Sequence, residues 1–190
     1  MILQPGQEPF RQAIEAVQRL LTRFEDRGVI IGGIAVGFLG RPRFTEDVDA
    51  LLLLSVQEIP NFLKAARAEK IETRIPEAED FARKNRVLML RYVPADVNID
   101  ISLGILPFEE ETVARSMLRT AGNLSIRLPT PEDLIVMKAV AHRPKDLEDI
   151  RSIVDKNPDL DVARIERWVR SFAEVLGTPS LWEEIKILLP

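Results

Sequence analysis

The 190-residue sequence predicts an α/β (α+β) fold, with a mixed β-sheet flanked by helices and a C-terminal helical extension. Three observations carry that prediction. Short apolar runs suited to buried strands alternate with helical repeats through the first two thirds of the chain. From about residue 129 only helical text follows. Hydrophobic residues make up 46% of the chain, enough for a sizeable core in one domain with a small appendage. Residues 1–128 are accordingly assigned to the α/β part and residues 129–190 to helices packed on it; no Ser/Gly-rich linker, internal repeat or low-complexity tract separates them.

Phe10, Ile14, Val17, Leu20, Leu21 and Phe24 recur at helical spacing, so residues 9–27 form an amphipathic helix that covers one face of a sheet. Residues 29–31 read as a short buried strand stopped by Gly32-Gly33, and residues 34–39 as a short helix ending at Gly40. Residues 48–54 form a second strand, apolar on both faces after its acidic start. Ser55 is placed as the N-cap of a helix running to about Lys70, with Pro60 in its first turns. The mixed text of residues 75–85 is a loop holding at most a short helix. Residues 87–93 and 97–103 are strands, and Pro94-Ala95-Asp96 between them suits a tight antiparallel connection. Residues 107–120 read as a helix and residues 124–128 as a short strand. Thr130-Pro131-Glu132-Asp133 is a helix start: a capping hydroxyl, proline at the first helical position and acids in the first turn. Three or four helices follow, punctuated by Pro144, Pro158 and Gly177-Thr178-Pro179.

Composition excludes several functions. With no cysteine there is no disulfide, thiolate metal site or cysteine nucleophile, in agreement with a reducing compartment. The N-terminal text lacks a basic segment followed by a long apolar run, and no segment is apolar for long enough to span a bilayer, so a soluble cytoplasmic protein without a membrane partner is expected. A net charge of -4 argues against sequence-independent coating of nucleic acid. Arg41, Arg43, Arg83, Lys84, Arg86 and Arg91 leave room for a local basic groove.

The stretch from Gly32 to Leu54, GGIAVGFLGRPRFTEDVDALLLL, concentrates the chemistry. Its glycines do not match the dinucleotide fingerprint, which needs a glycine where Ile34 stands. Residues two apart on a strand share a face, so Asp47 and Asp49 project together while Val48 turns into the core. Two adjacent carboxylates at an apolar strand repel each other, and a cation relieves both repulsion and desolvation. Mg²⁺ suits such oxygen donors. Asp100, flanked by Ile99 and Ile101, supplies a third carboxylate from a neighbouring strand, enough for two ions. A plainer reading stands beside this one: a solvated strand start at Glu46, Asp47 and Asp49, with Asp100 paired to an arginine such as Arg91.

Gly32-Gly33, a short helix, Asp47-Val48-Asp49 and then Asp100 together resemble the nucleotidyltransferase superfamily, the DNA polymerase β-like fold. Arg43, Thr45, Asp47 and Asp49 make the small nucleotidyltransferase toxins of type IV toxin–antitoxin systems the closer likeness, ahead of tRNA nucleotidyltransferases. The run LPTPEDLIVMKAVAHRPKDLEDI is similar to a C-terminal motif of those toxins in which a lysine and a downstream Arg…Asp face the nucleotide; the matching positions are Lys138, Arg143, Asp146 and, further along, Asp149. Many members carry a phosphate-binding serine after the first glycine, where this chain has Gly33.

The resemblance implies transfer of a nucleoside monophosphate from a triphosphate such as ATP to an acceptor hydroxyl on RNA (tRNA included), protein or a small molecule. It implies two Mg²⁺ ions, one held by Asp47 and Asp49 and one by Asp49 and Asp100. Gly32 and Gly33 would offer backbone N–H groups to the phosphates; Arg43, Lys138 and Arg143 would meet phosphate charge; Thr45 would give hydrogen-bonding support; and Asp146 would face the nucleotide. A cognate antitoxin is the implied protein partner. The alternative is a non-catalytic member of the same fold that binds a nucleotide or a partner protein. His142, the only histidine, reads as a helix-end residue, and Trp168 and Trp182 as core or interface.

Overall fold

The apolar repeat near the N-terminus folds as α1 (Glu8–Arg23), burying Ala13, Ile14, Ala16, Val17, Leu20 and Leu21 on one face. The computed structural model describes residues 8–190, so the N-terminal text read for targeting signals lies, over residues 1–7, outside the described residues. Next come β1 (Gly28–Ile30), α2 (Gly32–Leu39), β2 (Val48–Leu52), α3 (Ile59–Ala68), β3 (Ile71–Thr73), α4 (Ala78–Asn85), β4 (Val87–Tyr92) and β5 (Val97–Leu103). The chain continues through α5 (Pro107–Ala114), β6 (Met117–Ala121), β7 (Leu124–Leu128), α6 (Pro131–Ala141), α7 (Pro144–Lys156), α8 (Val162–Leu176) and α9 (Leu181–Lys186).

Five strands form one mixed sheet in the order β1-β2-β5-β4-β3. Only β2 and β5 are parallel; the other neighbours run antiparallel. In β5 the buried Val97, Ile99, Ile101 and Leu103 alternate with the partly exposed Asn98, Asp100 and Ser102. Burying each large aliphatic side chain contributes about 1.5–3 kcal/mol, and that alternation fixes which face the polar residues occupy. The helices of the C-terminal third share one hydrophobic cluster with α2 and the sheet, Ile135, Ile150, Ile165 and Ile185 joining Ile34, Val36 and Ile101. Among the described residues no helix is long and apolar enough to cross a membrane.

Most sequence expectations of element type hold, and the departures have physical causes. The helix expected over 107–120 stops at Ala114, and Met117–Ala121 pairs antiparallel with β7 in a separate two-stranded sheet. None of the five β6 residues is fully buried, so their pattern lacks the alternation that marks a strand; the turn through Gly122, at φ +62°, aligns the hairpin. Ser55 does not cap α3: its N–H and hydroxyl donate to the Glu58 carboxylate at 2.9 and 2.8 Å, and the helix begins four residues later with Pro60 in its first turn. β3, absent from the sequence reading, has three residues and buries only Ile71. The chain between Arg74 and Val87 folds as α4, bounded by Glu77 and Arg86, both with φ in the left-handed region. α2 starts at Gly32, two residues before the expected point. The helix start at Thr130 is as read, its hydroxyl accepting from the Asp133 N–H at 3.3 Å with Pro131 in the first turn, and four helices follow. Trp168 packs edge-on to Phe108 with ring centroids 5.3 Å apart, and Trp182 is buried.

Candidate functional site

Parallel pairing of β2 and β5 sets Asp49 directly opposite Asp100 on one face of the sheet. Asp47 is exposed just before β2. Burial pushes the Asp49 carboxyl above its usual range, and the nearby Asp100 and Asp47 push it further; Lys138 and Arg143 pull it back. A cation beside Asp49 would therefore be favoured by chemistry already present: hard oxygen donors, mutual repulsion and partial desolvation fit a divalent ion such as Mg²⁺. Among the described residues no three His, Asp or Glu side chains already converge on one metal position. What exists is the Asp49–Asp100 pair with Asp47 beside it. Asp100 also has a partner the sequence did not reveal, the Arg74 guanidinium, whose Nη2 donates to Asp100 Oδ1. Arg91, the partner suggested by the plainer reading, binds Asp96 instead, at 2.7 Å.

The glycines are where backbone must approach side chain. Gly32 has φ +62°, and a Cβ there would lie 2.0 Å from Asp49 Oδ2. A Cβ on Gly33 would lie 2.8 Å from Thr45 Oγ1 and 2.9 Å from Thr45 Cβ. Thr45 thus fills the space next to Gly33, where the resembled superfamily often has a serine side chain. Ile31 precedes α2 without a side-chain cap, so N–H groups of the first turn are left for another acceptor.

A second set of charges comes from α6 and α7. Lys138 Nζ donates to Asp146 Oδ1 at 2.9 Å and pairs with Asp149 Oδ2 at 2.8 Å, all three side chains being nearly fully buried. Arg43 binds Asp149 through two guanidinium nitrogens at 2.8 and 3.1 Å. Arg143 caps Asp146 from the other side, its Nε donating at 2.6 Å and its backbone N–H at 3.2 Å. Burial alone would raise the Asp146 pKa, yet hydrogen bonds from Arg143 and Lys138 hold it at about 2. Three cations on two carboxylates leave one positive charge in excess, and all three cations line the same cavity as Asp49 and Asp100.

Gly32, Gly33, Arg43, Thr45, Asp47, Asp49, Asp100, Lys138 and Arg143 line a single cavity of about 390 Å³. Asp146 is outside that lining, fully buried beneath Lys138 and Arg143. Lys145 and Ser102 also line the cavity and were not singled out from sequence; Lys145 follows the Arg143-Pro144 pair and Ser102 shares the Asp100 face two residues on, so both were within reach of a spacing argument. Arg74 was not, because its pairing with Asp100 spans 26 residues and a sheet. Among the described residues, Arg41, Arg83, Lys84, Arg86 and Arg91 do not line the cavity with Arg43: Arg41 binds Asp155, Arg83 binds Glu79 and Arg86 binds the carbonyls of Leu54, Leu103 and Gly104. His142 ends α6 in the left-handed region at φ 49°, its Nε2 lying 3.2 Å from Glu184.

Comparison with known proteins bears on the family and the fold. A family described as nucleotidyl transferase AbiEii toxin, type IV TA system, matches residues 18–186. Comparison with curated proteins finds no significant match. Among solved structures, an antigenic nucleotidyltransferase-like protein from Paracoccidioides brasiliensis superposes with a TM-score of 0.56 at 17% identity, covering 95% of this chain and 93% of its own. The antibiotic-resistance factor ANT(2'')-Ia gives a TM-score of 0.55 at 12% identity over 90% of this chain and 97% of its own. JHP933 from Helicobacter pylori gives 0.52 at 15% identity over 98% and 95%. At these identities the likeness is one of fold.

Proposed function

The chain belongs to the nucleotidyl transferase AbiEii toxin family of type IV toxin–antitoxin systems, and from that premise we propose that it transfers a nucleoside monophosphate from a nucleoside triphosphate to an acceptor hydroxyl. The observation that carries the proposal is the single cavity that joins the Gly32-Gly33 backbone, the opposed Asp49 and Asp100, and the Lys138 and Arg143 cations. In the reaction, the acceptor oxygen forms a bond to the α-phosphorus, the bond from that phosphorus to the β-phosphate oxygen breaks, pyrophosphate leaves, and the acceptor proton is released to water.

Positioning and charge neutralisation are what the protein must supply. The uncapped N–H groups at the start of α2 would hold the phosphates, with Gly32 and Gly33 allowing close approach. Lys138 and Arg143, clamped by Asp146, would present positive charge without reorganisation, and Arg43 would do so from the loop, clamped by Asp149. Thr45 would add a hydroxyl beside Gly33. Asp47, Asp49 and Asp100 would hold Mg²⁺, which when bound neutralises charge on phosphate and acceptor oxygens. Family membership supports a cognate antitoxin as protein partner and a cytoplasmic setting. A second reading, nucleotide or partner binding without transfer, is favoured by one observation, that Arg74 already neutralises Asp100.

Incubation with each α-labelled triphosphate and Mg²⁺, together with total RNA, cell extract or small hydroxyl-bearing molecules, tests the proposal. Label should pass to an acceptor in Mg²⁺, and not in EDTA or with Asp100→Asn. Triphosphate binding that is independent of metal and unchanged in Asp100→Asn would favour the second reading.

A further inference from the structure

The paired cations at and beside the cavity fall into two kinds. Arg43, Lys138 and Arg143 each rest on Asp146 or Asp149, buried carboxylates that do not line the cavity. Arg74 is different, for its partner is Asp100 itself. Its backbone N–H donates to the Met89 carbonyl at 2.9 Å, and Met89 is the register partner of Asp100, which in turn faces Asp49. Asp49, Asp100, Met89 and Arg74 therefore form one row across the sheet, with the guanidinium reaching back along it to the acid.

Two features make this contact exchangeable. Among the described residues Asp100 is the one hydrogen-bond partner of the Arg74 side chain, and Arg74 Nε is buried with none. Rotating the guanidinium into solvent would thus break one ion pair and hydrate an N–H that is otherwise buried without a partner. Asp100 keeps 41% of its side chain exposed, against 17% for Arg74, so an ion can reach the acid without the arginine moving first.

We infer that Arg74 is the resting counter-ion of Asp100 and a positioning residue of the site: it holds the carboxylate in place and is displaced when a divalent cation binds the Asp49–Asp100 pair. The inference rests on the proposed function only in taking that pair as the cation site. Once displaced, the guanidinium contributes nothing to the folded protein's stability, which separates this role from that of a permanent structural ion pair.

Mn²⁺ alone, titrated by electron paramagnetic resonance, tests the inference without any turnover, with thermal unfolding in EDTA and in saturating Mn²⁺ as a second readout. Arg74→Gln removes the competing charge and leaves a shorter, neutral polar side chain, and Mn²⁺ should bind about fivefold tighter, the equivalent of about 1 kcal/mol for a partly exposed ion pair. In EDTA the Tm of Arg74→Gln should fall by about 2–4 °C, and in saturating Mn²⁺ the deficit should close. Arg74→Lys, which retains the charge, should bind Mn²⁺ like the wild type. Unchanged or weaker Mn²⁺ binding in Arg74→Gln, or a Tm deficit that persists with Mn²⁺ bound, overturns the inference. Asp100→Asn keeps the two questions apart: if it binds Mn²⁺ as well as wild type, the carboxylate pair is not the cation site and the proposed metal chemistry falls too. If Asp100→Asn loses Mn²⁺ while Arg74→Gln gains nothing, only the role of Arg74 is refuted.

Discussion

Gly33→Ala should change sign in its effect on stability according to what stands at position 45. In the wild-type background the new Cβ meets Thr45 Oγ1 at 2.8 Å and Thr45 Cβ at 2.9 Å, closer than such atoms approach, with Arg43 Nη1 at 3.3 Å behind them. Overpacking of this kind costs about 1–3 kcal/mol. Against it stands the gain from replacing glycine by alanine in the first turn of α2, up to about 0.5–1 kcal/mol. The net expectation is a loss of about 1–2 kcal/mol. Thr45→Gly removes both offending atoms, and in that background only the Arg43 contact at 3.3 Å stands against the helix gain, a contact with the far end of a flexible side chain. Gly33→Ala should then stabilise by about 0.5 kcal/mol, giving a coupling energy of about 1–3 kcal/mol between the two positions. Urea unfolding of wild type, both single variants and the double variant, followed by circular dichroism in EDTA, measures the cycle directly. A Gly33→Ala effect of the same sign in both backgrounds, or a coupling below about 0.5 kcal/mol, would refute the claim that Thr45 occupies the space Gly33 leaves open.

Two further outcomes follow from the buried charges. Lys138→Met keeps volume but leaves Asp146 and Asp149 buried without the amine between them, so stability should fall by about 3–5 kcal/mol; a fall below about 1 kcal/mol in urea unfolding would mean that the arginines alone satisfy both acids. Asp146 has a folded pKa of about 2, below its unfolded value, so the unfolded chain takes up the proton more readily as pH falls. Its contribution is complete above about pH 5, amounts to about 2 kcal/mol and is about half gone by pH 3. The stability difference between wild type and Asp146→Asn should narrow accordingly across pH 5 to 3, and a difference that stays constant would contradict the assignment.

The parts of the fold that were legible in the sequence are those whose burial is periodic. Val97–Leu103 alternates perfectly, and α1 carries an apolar stripe through Leu21, so both were identifiable without coordinates. β6 and β3 were not, since they bury almost nothing and exist because a neighbour offers hydrogen bonds. α4 escaped clear definition because Glu77 and Arg86 adopt left-handed conformations that give no glycine signal at either end. At the candidate site, residue types and spacing brought out Asp47, Asp49 and Asp100, and resemblance added Gly32, Gly33, Arg43, Thr45 and the C-terminal charges. Neither could show that Asp146 is a buried clamp for those cations, nor that Arg74 rather than Arg91 reaches Asp100; both depend on side chains that meet only after the sheet and helices have assembled.

The order in which the charges appear along the chain has a consequence for synthesis. A growing polypeptide can pair β2 with β5, and so oppose Asp49 to Asp100, once residue 103 is available. Arg43 must wait for Asp149, and the amine of Lys138 for Asp146 and Asp149. A nascent or truncated chain that extends past β5 but ends before α7 therefore contains the residues that oppose Asp49 to Asp100 but not the clamps of the cations. In this chain Asp146 and Asp149 on α7 are thus the last groups needed for the clamped cations, and translation products that stop before them lack that cluster.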